Sequence, residues 1–227
     1  MPTIHTQRLT RQIHLWFGLV VGLQLLVWVI SGLVMVARPI EAVRGADMRR
    51  AAPALLLPSG DGALAVATAG LSAIERVELA NVLGRPAWRI TAGGAVRLAD
   101  AGSGAAWTLT ARDAAEIARN ATKISGAPII NAIDPANPPL ELRREMAGWQ
   151  LDYPDGTHVF VSAAGEITAL RTPWWRTYDW FWGLHILDPM GRETAHGPVI
   201  IIASVLALGT VLTGLVLTIW HFARRRR

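Results

Sequence analysis

The chain has 227 residues, 52% of them hydrophobic and 17% charged, with a positive mean hydropathy of +0.31. It contains no cysteine, which excludes disulfides, thiolate metal sites, iron–sulfur ligation and the CxxCH attachment of c-type haem. The formal charge is +5, but Arg224–Arg227 supply four of those units, so the excess is a topology signal and not a basic surface for nucleic acid.

Residues 1–14 read as a polar tail carrying His5, Arg8 and Arg11. Leu15–Ala37 then holds no Asp, Glu, Lys or Arg over 23 residues, and Gly197–Trp220 holds none over 24. At about 1.5 Å per residue, each run makes roughly 35 Å of helix, enough for a hydrocarbon core of about 30 Å. Transmembrane helices are therefore predicted at 15–37 and 196–221. The first run is too long for the apolar core of a cleaved signal peptide, and Arg38-Pro39 follows it directly, so a signal anchor is expected. Arginines before the first span and in the tail 222–227 place both ends in the cytoplasm, which puts residues 38–172 on the other side. Lys123 is the only lysine among 22 basic residues, a bias of GC-rich bacterial coding. The expected location is a bacterial inner membrane, N-in and C-in, with the main domain periplasmic.

Within 38–172 one motif is written twice, at about 59–107 and 108–171. The first copy has a small-residue helix candidate around Asp61 to Ser72, followed by the strand-like runs RVELANVL, PAWRITA and AVRLAD. The second opens with LTARDAAEIARNAT, where Thr110 is placed to cap a helix and Asp113 sits three residues on. PLELRREM, GWQLDYPDG, THVFVSA and EITALR follow it. Asp155-Gly156 between alternating apolar residues is a strong hairpin signal. Trp88 and Trp149 fall at the start of the second strand in each copy. A helix followed by three or four antiparallel strands gives an α+β domain. Each copy is marginal alone, so the two are expected to bury a shared face. No nucleophile, carboxylate pair or metal cluster stands out there, and a hydrolase is the least expected class. His158 is expected to serve the surface or a cross-strand contact.

Residues 173–195 begin with Thr172 as a cap and Pro173 at the first helical position, and Asp188-Pro189 gives a stop. Trp174, Tyr178, Phe181 and His185 recur at four, three and four, with Arg176, Thr177 and Asp179 elsewhere on the wheel. This predicts an amphipathic aromatic helix lying at headgroup level. An aromatic lid packed on the sheet is the alternative.

LTARDAAEIA followed by GWQLDYPDGTHVFVSAAGEITAL resembles a PepSY domain, and the first copy keeps Asp100 and Gly102 of that pattern. IHLWFGLVVGLQLLVWVISGLVM is similar to the first span of PepSY-associated membrane proteins. WRTYDWFWGLHILD is similar to the segment before their last span. The resemblance covers nearly the whole chain. It implies tandem PepSY-like repeats anchored by two transmembrane helices.

Five of the six histidines lie in or near the apolar segments. His14 and His221 mark the inner leaflet, His185 and His196 the outer. His14, Gly18 and Gly22 recur at four, and Gly18-x-x-x-Gly22 is a close-approach motif. His221, Leu217, Gly214 and Thr210 share a stripe on the second span. A flat macrocycle between helices needs axial imidazoles with missing side chains beside them, so the pattern suits bis-histidine haem b. It also suits plain helix packing with boundary histidines as anchors. The resemblance to siderophore-reductase-type PepSY proteins implies haem on membrane histidines, through the match of His14 in IHLW and His185 in GLHILD, and the histidine pairs near each leaflet would support two haems, His14 with His221 and His185 with His196. Two helices shield a haem poorly, so a homodimer forming a four-helix bundle, or a membrane redox partner, is expected. Gln24, near the middle of the first span, is expected to hydrogen-bond across a helix interface.

Two functions follow as expectations. One is a haem-binding electron-transfer component of a membrane reductase, linked to ferric-siderophore or metal reduction in iron uptake. The other is a non-catalytic membrane-anchored module whose repeats bind or regulate a periplasmic protein or peptidase.

Overall fold

The computed structural model describes residues 4–55, 57–58, 62–191 and 197–225. It divides into two compact units, Met1–Pro39 with Arg176–Arg227, and Ile40–Trp175. The first contains two long helices, α1 (Ile4–Val36) and, at the other end of the chain, α6 (Pro198–Arg225). Both are long and apolar enough to cross a membrane. Neither contains an interior proline. α1 ends before Arg38-Pro39, where the residue preceding proline is driven out of the helical region. α6 starts on Pro198, whose missing N–H costs nothing at a first helical position. Phe17 lies against Gly209 and His14 against Gly214, so the two helices run antiparallel. On α1 the buried or half-buried positions His14, Phe17, Val21, Gln24, Trp28 and Ser31 recur at three and four, the spacing of a packed helical seam.

The second unit is α+β with two antiparallel sheets. It opens with α2 (Ile40–Val43) and a short 3-10 turn, Ala46–Met48. Arg50 N–H donates to the Ala121 carbonyl and Lys123 N–H to the Met48 carbonyl, each at 2.8 Å, tying this entry segment to the end of α4 (Ala111–Ala121). After α3 (Gly62–Thr68), β1 (Ile74–Val82), β2 (Arg85–Ala92) and β3 (Ala95–Asp100) form a meander. α4 then leads into β4 (Ile129–Ile133), β5 (Gly148–Asp152), β6 (His158–Ser162) and β7 (Ile167–Arg171), again in sequential order. Trp88 sits on β2 opposite Leu79 and Ala99, and Trp149 on β5 opposite Ala132 and Val161.

One strand lies away from its expected place. PLELRREM (139–146) forms no strand, and β4 is IINAI, paired with β5 from Ile129 opposite Asp152 to Ile133 opposite Gly148. Proline at 138 and 139 removes two ladder donors. Leu142 N–H turns back onto the Pro139 carbonyl at 2.9 Å, and Arg143 takes a left-handed φ of 56°.

The cap of α4 is fully formed. The Asp113 N–H donates to Thr110 Oγ1 at 3.2 Å, and the Thr110 N–H donates back to Asp113 Oδ2 at 2.8 Å. The two sheets share one core, in which Val82 and Leu98 of the first meet Leu109, Ile117, Leu151 and Val159 of the second half. The β6–β7 turn closes this joint. Arg89 on β2 donates to the carbonyls of Ala164 and Gly165, both at 2.9 Å. Its own burial lowers its pKa, opposed by Glu166 and Glu78. Gly165 has φ 71°, and a Cβ there would come within 3.0 Å of Val82. Conformation and close approach both require glycine at that turn.

α5 (Pro173–His185) starts as the sequence suggests, with Trp175 N–H donating to Thr172 Oγ1 at 3.0 Å. The side it buries within the chain lies one position round from the aromatic stripe. Trp175, Asp179 and Ile186 are buried, whereas Trp174, Tyr178, Phe181 and His185 are half-buried. Asp179, off the aromatic stripe, is only 4% exposed, so that polar wheel position is an interior one. The helix ends in a 6→1 bond from Asp188 N–H to the Gly183 carbonyl at 2.9 Å, with Leu187 at φ 57°.

Candidate histidine sites in the apolar helices

His14 immediately precedes the first apolar run on α1. Its Nδ1 is 3.1 Å from the Thr210 carbonyl and 3.0 Å from Thr213 Oγ1, both on α6. A carbonyl oxygen only accepts, so Nδ1 carries the proton. Cε1 of the ring occupies the space above Gly214, where a Cβ would approach to 3.0 Å. The glycine expected to leave room for a macrocycle thus leaves room for the imidazole itself. Nε2 has no protein partner among the described residues.

His185, the last residue of α5, repeats the arrangement against α1. Its Nδ1 is 2.9 Å from Ser31 Oγ, and its Cε1 lies over Gly32, 3.8 Å from where a Cβ would be. The Trp28 ring is tilted beside it, centroids 6.2 Å apart. Here too Nε2 has no protein partner among the described residues.

His221 lies seven residues beyond Gly214, roughly 10 Å further along α6, exposed, with its ring edge-on to Phe222. It is not beside His14. His196 lies outside the described residues. His5 is exposed on the first turn of α1. A Cβ at Gly18 or Gly22 would meet nothing within 4 Å, so the G-x-x-x-G face is open among the described residues. The amide nitrogen of Gln24 is buried without an acceptor among the described residues, and so is the indole N–H of Trp28. The cross-helix bond expected of the Gln24 amide is not made through its N–H among the described residues.

The hydroxyl–glycine pairs Ser31-Gly32 and Thr213-Gly214 were not singled out from sequence. Their signal is a polar residue followed by glycine inside otherwise apolar runs, visible once one looks for a polar contact in lipid.

In the second unit, His158 Nδ1 is 2.8 Å from Glu141 and Nε2 is 3.5 Å from Asp152, its cross-strand partner. A half-open cleft of about 390 Å³ lies between α4 and the segment before β4, with Ala115, Ile124 and Tyr153 inside and Arg112, Glu116 and Arg119 on it. Burial, then Asp155, pushes the Tyr153 phenol up from its ordinary value. Among the described residues no group of three or more His, Asp and Glu side chains is placed to hold a metal ion. A haem iron asks for one or two imidazoles, so that observation leaves haem open.

No protein-family model, curated protein or solved structure matches this chain.

Proposed function

We propose that the chain is a PepSY-like protein of a bacterial inner membrane, with its α+β unit periplasmic, and that it carries electrons through haem b bound at His14 and His185. The observation that carries this reading is the pair of imidazoles seated against apolar helices, each held through Nδ1 and each with Nε2 unpartnered among the described residues. A neutral imidazole with a free Nε2 lone pair is the donor that haem iron takes, so the residues fit the group. When bound, haem would supply one-electron chemistry. The chain would bind it through Nε2, orient each ring through Nδ1, and exclude water with the leucine- and valine-rich faces of α1 and α6. The second imidazole for His14 would come from a second copy of the chain, since His221 of the same chain stands roughly 10 Å further along α6, and that for His185 from His196 or a second copy.

The test is the pigment of the full-length protein in membranes from haem-sufficient cells. The expected result is a Soret band that weakens in His14→Ala and in His185→Ala. A colourless wild-type protein overturns the reading. Loss in His221→Ala as well as His14→Ala would put both ligands in one chain. Loss in His14→Ala alone would put the second on another.

The cleft beside α4 favours a second reading, a membrane-anchored binder of a periplasmic peptide or protein. Its apolar floor with Arg112 and Arg119 at the rim suits a segment ending in an apolar residue and a carboxylate. Arg112→Ala with Arg119→Ala should then abolish capture of such peptides by the full-length protein and leave any pigment unchanged.

A further inference from the structure

Two histidines far apart in the chain are held by the same device. Ser31 and Thr213 each turn the hydroxyl hydrogen back onto their own helix. Ser31 Oγ donates to the Val27 carbonyl at 2.7 Å and the Trp28 carbonyl at 3.1 Å. Thr213 Oγ1 donates to the Gly209 carbonyl at 2.8 Å and the Thr210 carbonyl at 3.1 Å. A hydroxyl has one hydrogen, and with that hydrogen committed to the helix carbonyls what faces the imidazole in both cases is a lone pair. The lone pair accepts from Nδ1–H, and the next residue, Gly32 or Gly214, admits the Cε1 edge of the ring. Each histidine is therefore seated on a hydroxyl–glycine step of an apolar helix. Neither seat is contributed by the element that carries the histidine.

We infer that Ser31-Gly32 and Thr213-Gly214 are two equivalent imidazole seats, whose hydroxyls are positioning residues that lock His185 and His14 as Nδ1–H tautomers with Nε2 as the ligand atom. This deepens the haem reading and rests on it for the iron, but the ring chemistry stands without iron. A hydrogen bond accepted from Nδ1–H makes Nε2 a stronger donor to a metal and fixes the ring plane, as supporting partners of metal-bound histidines do. The seats are not identical. His14 has two acceptors, Thr213 Oγ1 and the Thr210 carbonyl, whereas His185 has Ser31 alone. Removing Ser31 should free its ring, while removing the Thr213 hydroxyl should weaken its hold without releasing it.

The experiment is nitrogen-15 NMR of histidine-labelled, full-length protein in lipid nanodiscs, with Ser31→Ala, Ser31→Thr, Thr213→Val and Thr213→Ser. In the wild type, His14 and His185 should show protonated Nδ1 and unprotonated or metal-bound Nε2. Ser31→Ala should convert His185 to a tautomer mixture, and Ser31→Thr should restore it. Thr213→Val should shift His14 Nδ1 with the tautomer retained, and Thr213→Ser should behave as wild type. Where the protein carries haem, Ser31→Ala and Thr213→Val should each raise the reduction potential of one centre, because a weaker donor stabilises ferric iron less. An Nε2–H form in the wild type, or spectra unmoved by Ser31→Ala, would overturn the inference. A colourless protein with locked Nδ1–H rings would overturn only the haem reading.

Discussion

A Cβ at Gly214 would come within 3.0 Å of His14 Cε1, whereas one at Gly32 would sit at an ordinary 3.8 Å from His185 Cε1. Two glycines in equivalent places should therefore respond differently to the same methyl group. Gly214→Ala is expected to push the His14 ring off the Thr213 hydroxyl and shift its Nδ1 resonance. Gly32→Ala is expected to leave His185 where it is. Equal responses would mean that the close contact at Gly214 is relieved by movement of α6. Gly165→Ala belongs to the same scale, because it meets both a left-handed backbone and a 3.0 Å approach to Val82. A loss of more than about 1 kcal/mol is expected in denaturant unfolding of the full-length protein in detergent.

Among the elements, α4 is the one most fully legible in the sequence, since its signals are local. Thr110 and Asp113 are three residues apart, and the two reciprocal bonds between them need no information from the rest of the chain. Thr110→Ala should cost about 1 kcal/mol. The side-chain hydrogen bond from Thr110, and then that from the Thr110 N–H, holds the Asp113 carboxyl below the usual carboxylate range. A carboxylate whose pKa is lower in the folded state stabilises above its unfolded pKa, about 4, and that contribution is lost as pH falls through the depressed value. The difference between wild type and Asp113→Asn should thus be present at neutral pH and shrink on the acid side. β4 shows the opposite case. IINAI and PLELRREM are both plausible edges for β5 on composition, and the choice is made by long-range register together with prolines 138 and 139. What α5 buries against the rest of the chain was not legible for a related reason. Aromatic periodicity marks an apolar side, but burial of Asp179 depends on what packs there, which a helical wheel does not contain.

For the molecule as a whole, composition and charge-free runs sufficed to locate two apolar helices, because bilayer-length hydrophobicity is a property of the segment itself. The histidine seats were hidden by distance along the chain. Ser31 and His185 are 154 residues apart, and His14 and Thr213 are 199 apart. The α+β unit behaves as one core and not two, since Val82 and Leu98 cluster with Leu151 and Val159. Leu151 is fully buried within that cluster. Leu151→Ala should cost about 2–5 kcal/mol and lower the stability of both copies together, seen as one shifted near-ultraviolet circular dichroism transition. Two transitions moving separately would show that the copies unfold independently.

α1 has a consequence that belongs to neither histidine alone. It carries the His14 ring near one end and the Ser31-Gly32 step near the other, 17 residues or roughly 25 Å away. A straight helix transmits angular phase, so the two ends are geared to each other. One residue inserted between them would turn the far end by about 100°, while a whole heptad would nearly restore it. A single alanine inserted after Leu23 should therefore unseat one histidine while leaving the other engaged. A seven-residue insertion should keep both in phase at the cost of a longer rod.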